Sequence, residues 1–362
     1  MMAKFKNLVF EGGGVWGIAY EGVLSELEAK NAIDFQQLDR VGGASAGAIT
    51  ACLLAVGYTP TEIGNLLKIT SFSDFQDDDL GFARDTHRLL SEYGWYKGNE
   101  FKKWIRKQIR AKIKSLSNEY GVNGSKTRPT FRELAKWQKA LANKGYRLPA
   151  LYMVGSNLSK QKRETYSAEA GHTPNLLIED GVRRSMSIPL FFACSRGEDR
   201  DVIVDGGLTW NYPVNIFDDK KYLAPNKQSA GKKTSYGATD SHVFNTQTLG
   251  FRLDSPKEIE ANLLDWSNKP VDIDNIVHYG WALVSFMRGM ANKMHLHAND
   301  WSRTIFINIG EDIGFTNFDL TDDQQDFLVA AGRDGVRKYL DWIGSGEGKQ
   351  ELKKIYSNMK SS

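Results

Sequence analysis

Cysteine is nearly absent. Only Cys52 and Cys194 occur in 362 residues, too few for a disulfide framework or a cysteine-based zinc site. Both sit among apolar neighbours (Ala51 and Leu53; Phe192 and Ala193), so both are expected as buried, reduced thiols, which suits a reducing compartment. Long apolar runs are missing as well. No stretch approaches the roughly 18–20 unbroken apolar residues of a membrane-spanning helix. Residues 1–10 lack the apolar core and small-residue cleavage site of a secretory signal. Neither sign of charge dominates: the formal net charge is +3, too small to imply a nucleic-acid partner. These absences lead to the expectation of a cytoplasmic protein, at most peripheral to a membrane, with export by a route that needs no Sec signal left open.

What remains is an ordinary core-forming chain, 41% hydrophobic and 25% charged, long enough for two average domains or one large one. Residues 5–10 read as a short buried strand running into Glu11-Gly12-Gly13-Gly14-Val15-Trp16-Gly17. Residues 18–30 then have helical spacing, with Ile18, Gly22, Leu24 and Leu27 inward and Glu21, Glu26 and Glu28 toward water. A second strand over 38–41 breaks at Gly42-Gly43 and leads into a small-residue helix over 48–56. Thr59-Pro60-Thr61-Glu62 carries helix-start chemistry. Repeated strand–loop–helix units indicate a parallel sheet with helices on its faces. Residues 70–145 are more polar and read as a helical insertion. Strands are expected over 151–155, 163–167, 202–204, 248–253 and 304–309, helices over 176–186, 276–294 and 321–342, and an exposed loop over 225–242. With no repeat and no clear linker, the expectation is one α/β domain over 1–362, elaborated at 70–145 and at 255–362.

Two glycine-rich turns carry the chemistry. In Gly12–Gly17, bare backbone lets a ligand approach the amides, and the following helix aims its N-terminal N–H groups at negative charge. The string also satisfies the dinucleotide pattern as Gly12, Gly14 and Gly17, which by itself is weak. Gly43-Ala44-Ser45-Ala46-Gly47 is G-x-S-x-G between a strand and a helix, the nucleophile-elbow arrangement. Gly43 and Gly47 free the turn of clashes, and Ser45 stands exposed on it. A serine hydroxyl needs a base. None of His87, His172, His242, His278, His295 and His297 lies in an obvious strand-end motif. Asp205 does, in Val204-Asp205-Gly206-Gly207, where a carboxylate on a tight loop can reach a serine on a neighbouring strand.

These blocks, with the stretch from Arg183 to Phe192 and Asn211-Tyr212-Pro213, resemble the bacterial patatin-like phospholipases. The likeness spans roughly 5–70 and 150–215. It implies a three-layer α/β/α fold with a mainly parallel central sheet and a helical insertion. It further implies lipid acyl hydrolysis by a Ser45–Asp205 dyad, an oxyanion hole from the backbone of Gly12, Gly13 and Gly14 with Val15 as a further candidate, a phospholipid or other acyl-ester substrate, and no metal or other cofactor. The resemblance departs at Trp16, where the family's loop commonly carries Arg or Lys. Arg183 and Arg184 are candidates for the missing cation.

Residues 97–114 hold eight basic residues against one acidic, with Phe101, Trp104, Ile105, Ile109 and Ile113 on one face. The pattern alone fits a solvated helix packed on the core about as well as a helix lying on anionic lipid. The enzyme class implied by the resemblance tips the expectation toward a membrane-facing or lid role, with Lys102, Lys103, Arg106, Lys107, Arg183 and Arg184 as lipid- or anion-binding candidates. Trp281, Leu283, Phe286, Met287, Met290 and Met294 form an apolar stripe expected in the core. His295-Leu296-His297 near Asp300 does not make a metal site, because histidines two apart do not share a helical face. The rival readings are an α/β-hydrolase esterase with a Ser–His–Asp triad, a dinucleotide-binding Rossmann unit, and a non-catalytic lipid- or nucleotide-binding protein.

Overall fold

The computed structural model describes residues 5–68, 70, 72–75, 92–124, 128–197, 199–223, 244–256, 259, 272–274, 276–294 and 298–351. The loop expected over 225–242 lies wholly outside them, as do His87, His242, His295 and His297. Ten strands are described: β1 Asn7–Phe10, β2 Arg40–Gly43, β3 Gly94–Tyr96, β4 Ala150–Asn157, β5 Lys162–Tyr166, β6 Leu190–Phe192, β7 Ser195–Arg196, β8 Val202–Asp205, β9 Thr248–Asp254 and β10 Thr304–Asn308. The α-helices are α1 Ala19–Ala29, α2 Ala46–Ala55, α3 Pro60–Lys68, α4 Asn99–Tyr120, α5 Phe131–Ala142, α6 Ile178–Ser185, α7 Gly207–Trp210, α8 Ile276–Met294 and α9 Asp322–Gly344.

The main sheet runs β10-β9-β1-β2-β4-β8-β7, with β5 also on β4. The pairs from β10 to β4 are parallel, whereas β5, β8 and β7 join antiparallel. Alternation along the strands divides the core in two. Leu8, Phe10, Leu151 and Met153 face the large cluster shared with α1, α2 and α9. Val9 and Tyr152 face the other way, onto Phe217 and Tyr222. β3 and β6 make a separate two-stranded ribbon.

Local chemistry explains the helix starts. Thr59 and Glu62 exchange the two bonds of a capping box ahead of α3, 2.8 and 3.2 Å, and Thr130 with Glu133 does the same for α5. One expectation fails here. Glu21 and Glu26 of α1 are buried, because α3 lays Gly64 and Lys68 against Glu21 and α9 covers Glu26. Gly22 lets the α9 backbone at Val329 come close, and Arg337 forks onto Glu26 at 2.8 and 3.0 Å.

Candidate active site

Strand register sets the site. Gly43, the last residue of β2, pairs with Met153 of β4. β4 continues beyond the end of β2, and β8 descends antiparallel onto that overhang, with Asp205 opposite Gly155. Ser45 lies two residues past Gly43, and Gly155 two past Met153. The serine and the aspartate therefore end at one level, on either side of β4.

Ser45 sits at φ 50°, ψ −123°, in the left-handed region that side chains avoid, a strain of about 1–3 kcal/mol. The sharp turn is admitted because a Cβ on Gly47 would run into the Phe10 carbonyl, where glycine packs without clash. The Ser45 amide donates to Ser185 Oγ at 3.0 Å, and that hydroxyl donates to Val154 O at 2.6 Å. The same segment holds the other partner: the Asp205 amide donates to Ser187 O at 2.9 Å and the Gly206 amide to Ser185 O at 3.2 Å. Ser185 was not singled out from sequence, since a lone serine at the end of a helix carries no distinguishing signal.

Asp205 is 6% exposed. Its Oδ1 accepts from the Gly207 amide at 2.5 Å. Its Oδ2 is buried without a hydrogen bond of ordinary geometry, although the Ser45 hydroxyl lies near enough to bear on how the carboxyl titrates. The two groups stand in each other's field without a completed bond, as catalytic pairs often do before substrate arrives. Burial pushes the Asp205 carboxyl up to about 6, while the Ser45 hydroxyl, the Gly207 amide and Arg288 pull the other way.

The glycine loop divides its labour. The Gly12 amide is already bonded to Asn211 O at 3.0 Å, and the Val15 amide to Phe315 O at 3.0 Å. Both are thereby corrected from oxyanion donors to anchors of the loop. Gly13 and Gly14 carry no such bond among the described residues, and Gly14, at φ +55°, is pressed against the Phe315 backbone. Glu11 fastens the loop's base, accepting from Asn211 Nδ2 at 2.8 Å and from the Leu253 amide at 2.6 Å. The cation beside the loop is Arg288 of α8. It donates to Gly12 O at 2.7 Å and lies over the rings of Trp16 and Phe315, about 5 Å from each centroid. Arg183, expected as a candidate for that role, is instead buried and bonded to Ser187 Oγ, Lys97 O and Ala193 O. Among the described residues Arg184 reaches Arg196 O at 3.4 Å.

Two hollows meet at Ser45. One is lined by Gly13, Gly14, Asp205, Asn211, Val284 and Arg288 among others. The second runs between Ile49, Leu67, Phe75, Phe101, Trp104 and Phe318 and is apolar almost throughout.

Residues 8–218, more than half of the chain, match the family model described as patatin-like phospholipase. The chain belongs to that family. A protein of Acanthamoeba polyphaga mimivirus, "Uncharacterized protein R571", is 26% identical over 344 residues, 93% of this chain and 94% of the viral one. "Probable lipid hydrolase 463L" of Invertebrate iridescent virus 6 is 27% identical over 213 residues, 59% of this chain and 63% of its own. Among solved structures, VipD from Legionella pneumophila superposes with a TM-score of 0.61 at 18% identity, covering 94% of this chain and 67% of that one. Similar proteins thus come from viruses as well as bacteria, so the family is shown and the narrower bacterial grouping is not.

The remaining candidate residues of this patatin-like chain are dispersed. Lys102 pairs with Asp180 and Arg106 with Glu179 at 2.8 Å, so both are committed to ion pairs with α6. Lys103 reaches Glu100 at 2.5 Å on the surface, and Lys107 is exposed. Of the described histidines, His172 is bonded to Ser167 Oγ at 2.6 Å and His278 is exposed; neither lines the hollows at Ser45. No described helix is long and apolar enough to cross a membrane.

Proposed function

We propose that the protein is a serine hydrolase cleaving fatty-acyl ester bonds of phospholipids, lysophospholipids or related lipids, with Ser45 as nucleophile and Asp205 as its single general base. The observation that carries this reading is the common level of Ser45 and Asp205 across β4, at the meeting point of two unoccupied glycine amides and an apolar hollow. Family membership and the name of the iridescent-virus relative support the same reaction class.

Asp205 Oδ2 accepts the Ser45 proton as Oγ attacks the ester carbonyl. The carbonyl oxygen takes the developing negative charge, and the Gly13 and Gly14 amides donate to it, each worth about 3 kcal/mol. Collapse breaks the bond to the leaving alcohol, which takes the proton from Asp205. Water then attacks the acyl-Ser45 ester, giving a proton to Asp205; collapse breaks the ester bond to Ser45, Asp205 returns the proton to Ser45 Oγ, and fatty acid departs. A carboxyl raised to about 6 is ionised at neutral pH yet a better proton acceptor than an ordinary aspartate. The hollow walled by Phe75, Phe101 and Trp104 suits an acyl chain, which needs apolar cover and no polar partner.

Lipidomics of mixed phospholipid vesicles after incubation with wild type and with Ser45→Ala tests this. Wild type should release fatty acid, and the variant should lose the activity by about a thousandfold or more. Wild-type turnover by Ser45→Ala would overturn the assignment.

A further inference from the structure

Helix α8 presents an unusual surface. Eight large apolar or aromatic side chains are exposed among the described residues, and five of them, Ile273, Tyr279, Leu283, Phe286 and Met287, fall between 273 and 287. Phe286 is 62% exposed and Leu283 47%. Clustered exposure of this kind marks a contact surface, where scattered apolar residues would not.

The helix has three distinct sides. Gly280, Val284, Arg288 and Ala291 follow each other at spacings of three and four and turn inward: Gly280 lies against Leu190, and Val284 and Arg288 line the hollow beside Ser45 and Asp205. The stripe Tyr279–Leu283–Phe286–Met287 runs alongside this row. His278, Ser285 and Gly289 occupy the remaining side. The apolar stripe is therefore continuous with the rim of the candidate active site. Charge fits the same occupant. Residues 276–294 contain no acid that an anionic surface would repel, and Asp272 and Asp274 precede the first turn, where the helix dipole favours negative charge.

We propose that the Tyr279, Leu283, Phe286 and Met287 face of α8 docks the protein on an anionic phospholipid surface, with the apolar side chains in the headgroup–acyl boundary. This rests on the lipid-hydrolase reading, because a lipid held in a bilayer reaches Ser45 only if the rim of the site meets the membrane. An apolar stripe on that rim, on a helix with no acidic residue, meets the requirement. A protein seated on the same stripe would lie beside the entrance instead of supplying substrate to it.

The test separates docking from turnover. Vesicles of ether-linked phosphatidylcholine and phosphatidylglycerol in equal parts have no acyl ester to cleave, so flotation with them reports binding alone. The double variant Leu283→Ser, Phe286→Ser should partition about tenfold or more weaker than wild type, with an unchanged thermal melt and unchanged turnover of a soluble short-chain ester. Equal partitioning of variant and wild type, or no binding by wild type, overturns the proposal. A concentration-dependent dimer seen by light scattering and lost in the double variant would also overturn it, assigning the stripe to a second copy. If soluble-ester turnover is absent in wild type while flotation behaves as expected, it is the hydrolase reading that fails.

Discussion

Helix α4 is basic and α8 is apolar, yet α4 is the one whose apolar residues are shielded from water. Phe101, Ile105, Ile109 and Ile113 are at most 3% exposed, inside the main core. Its Lys102 and Arg106 turn to Asp180 and Glu179 of α6. On α8, Leu283, Phe286 and Met287 remain exposed, and the row that turns inward is made of small residues and one arginine. Both helices show an apolar face at helical spacing. Periodicity identifies such a face but not what covers it. The covering is decided by partners far away in sequence: carboxylates waiting on α6 in one case, a narrow site rim in the other. On α4, expected in a membrane-facing or lid role, the apolar residues Phe101, Ile105, Ile109 and Ile113 are covered by protein, with Phe101 and Trp104 walling the hollow at Ser45; on α8, Leu283, Phe286 and Met287, expected in the core, are exposed, and the side chains of Trp281 and Met294 lie outside the described ones.

The largest expected effect breaks or confirms that contrast directly. Ile105→Ala empties a fully buried position and should cost about 2–5 kcal/mol. Phe286→Ala removes a larger side chain from α8 and should stay within about 0.5 kcal/mol. Urea unfolding measures both. Similar losses at the two positions would mean that α8 is covered and that the contrast is false.

The carboxylates beside the two helices sharpen it. Asp205, near Arg288, is raised to about 6 by burial, so above that pH folding keeps a poorly solvated charge. The folded state binds the proton more tightly than the unfolded chain, so stability is greatest at low pH and declines as pH rises from about 4 through about 6. Asp205→Asn can keep the Gly207 bond and lose the charge. It should abolish turnover yet gain up to about 3 kcal/mol at pH 8, with the gain gone near pH 4. Glu179, beside α4, is held by both Arg106 and Arg128 at 2.8 and 2.7 Å. Glu179→Gln should instead lose about 1–3 kcal/mol. Thermal melts across pH give both signs, and a stabilising Glu179→Gln would show that its arginines do not hold it.

Much of the site was legible because its signals are local. The Gly12–Gly14 loop, the Ser45 elbow and the Asp205-Gly206-Gly207 turn each announce themselves by residues that only an awkward backbone needs. So do the caps at Thr59 and Glu62. The longer strands of the main sheet are expected from sequence, whereas the short β3, β6 and β7 are not. The parallel sheet follows from the repeated units, and the patatin-like fold from the resemblance. What stayed hidden is long-range. A strand of four residues such as β8 carries no sign that it enters antiparallel, so the register matching Asp205 to Gly155 could not be read. Ser185 looks like any serine, and Glu21 and Glu26 look solvated until α3 and α9 close over them. Arg288 is separated from Gly12 by 276 positions, and no local pattern links the two.

Arg288 supplies the last and smallest effect, and it tests the inward side of α8 independently of the outward one. Its guanidinium holds the Gly12 carbonyl and stacks over Trp16 and Phe315, and its charge lowers the Asp205 carboxyl. It touches no reacting atom, so it is a positioning residue. Arg288→Ala should reduce kcat/KM for a soluble ester by about tenfold, equivalent to about 1.4 kcal/mol. It should also move the acid limb of the pH–rate profile upward from near 6, because Asp205 loses a neighbouring positive charge. Arg288→Lys should keep the limb near its original pH while recovering only part of the rate, since an ammonium preserves charge but not the planar stack. Loss of rate without movement of the limb would assign Arg288 to loop geometry alone. Movement without loss of rate would assign it to electrostatics alone. In either variant vesicle binding should persist, because the stripe and the arginine occupy different sides of one helix.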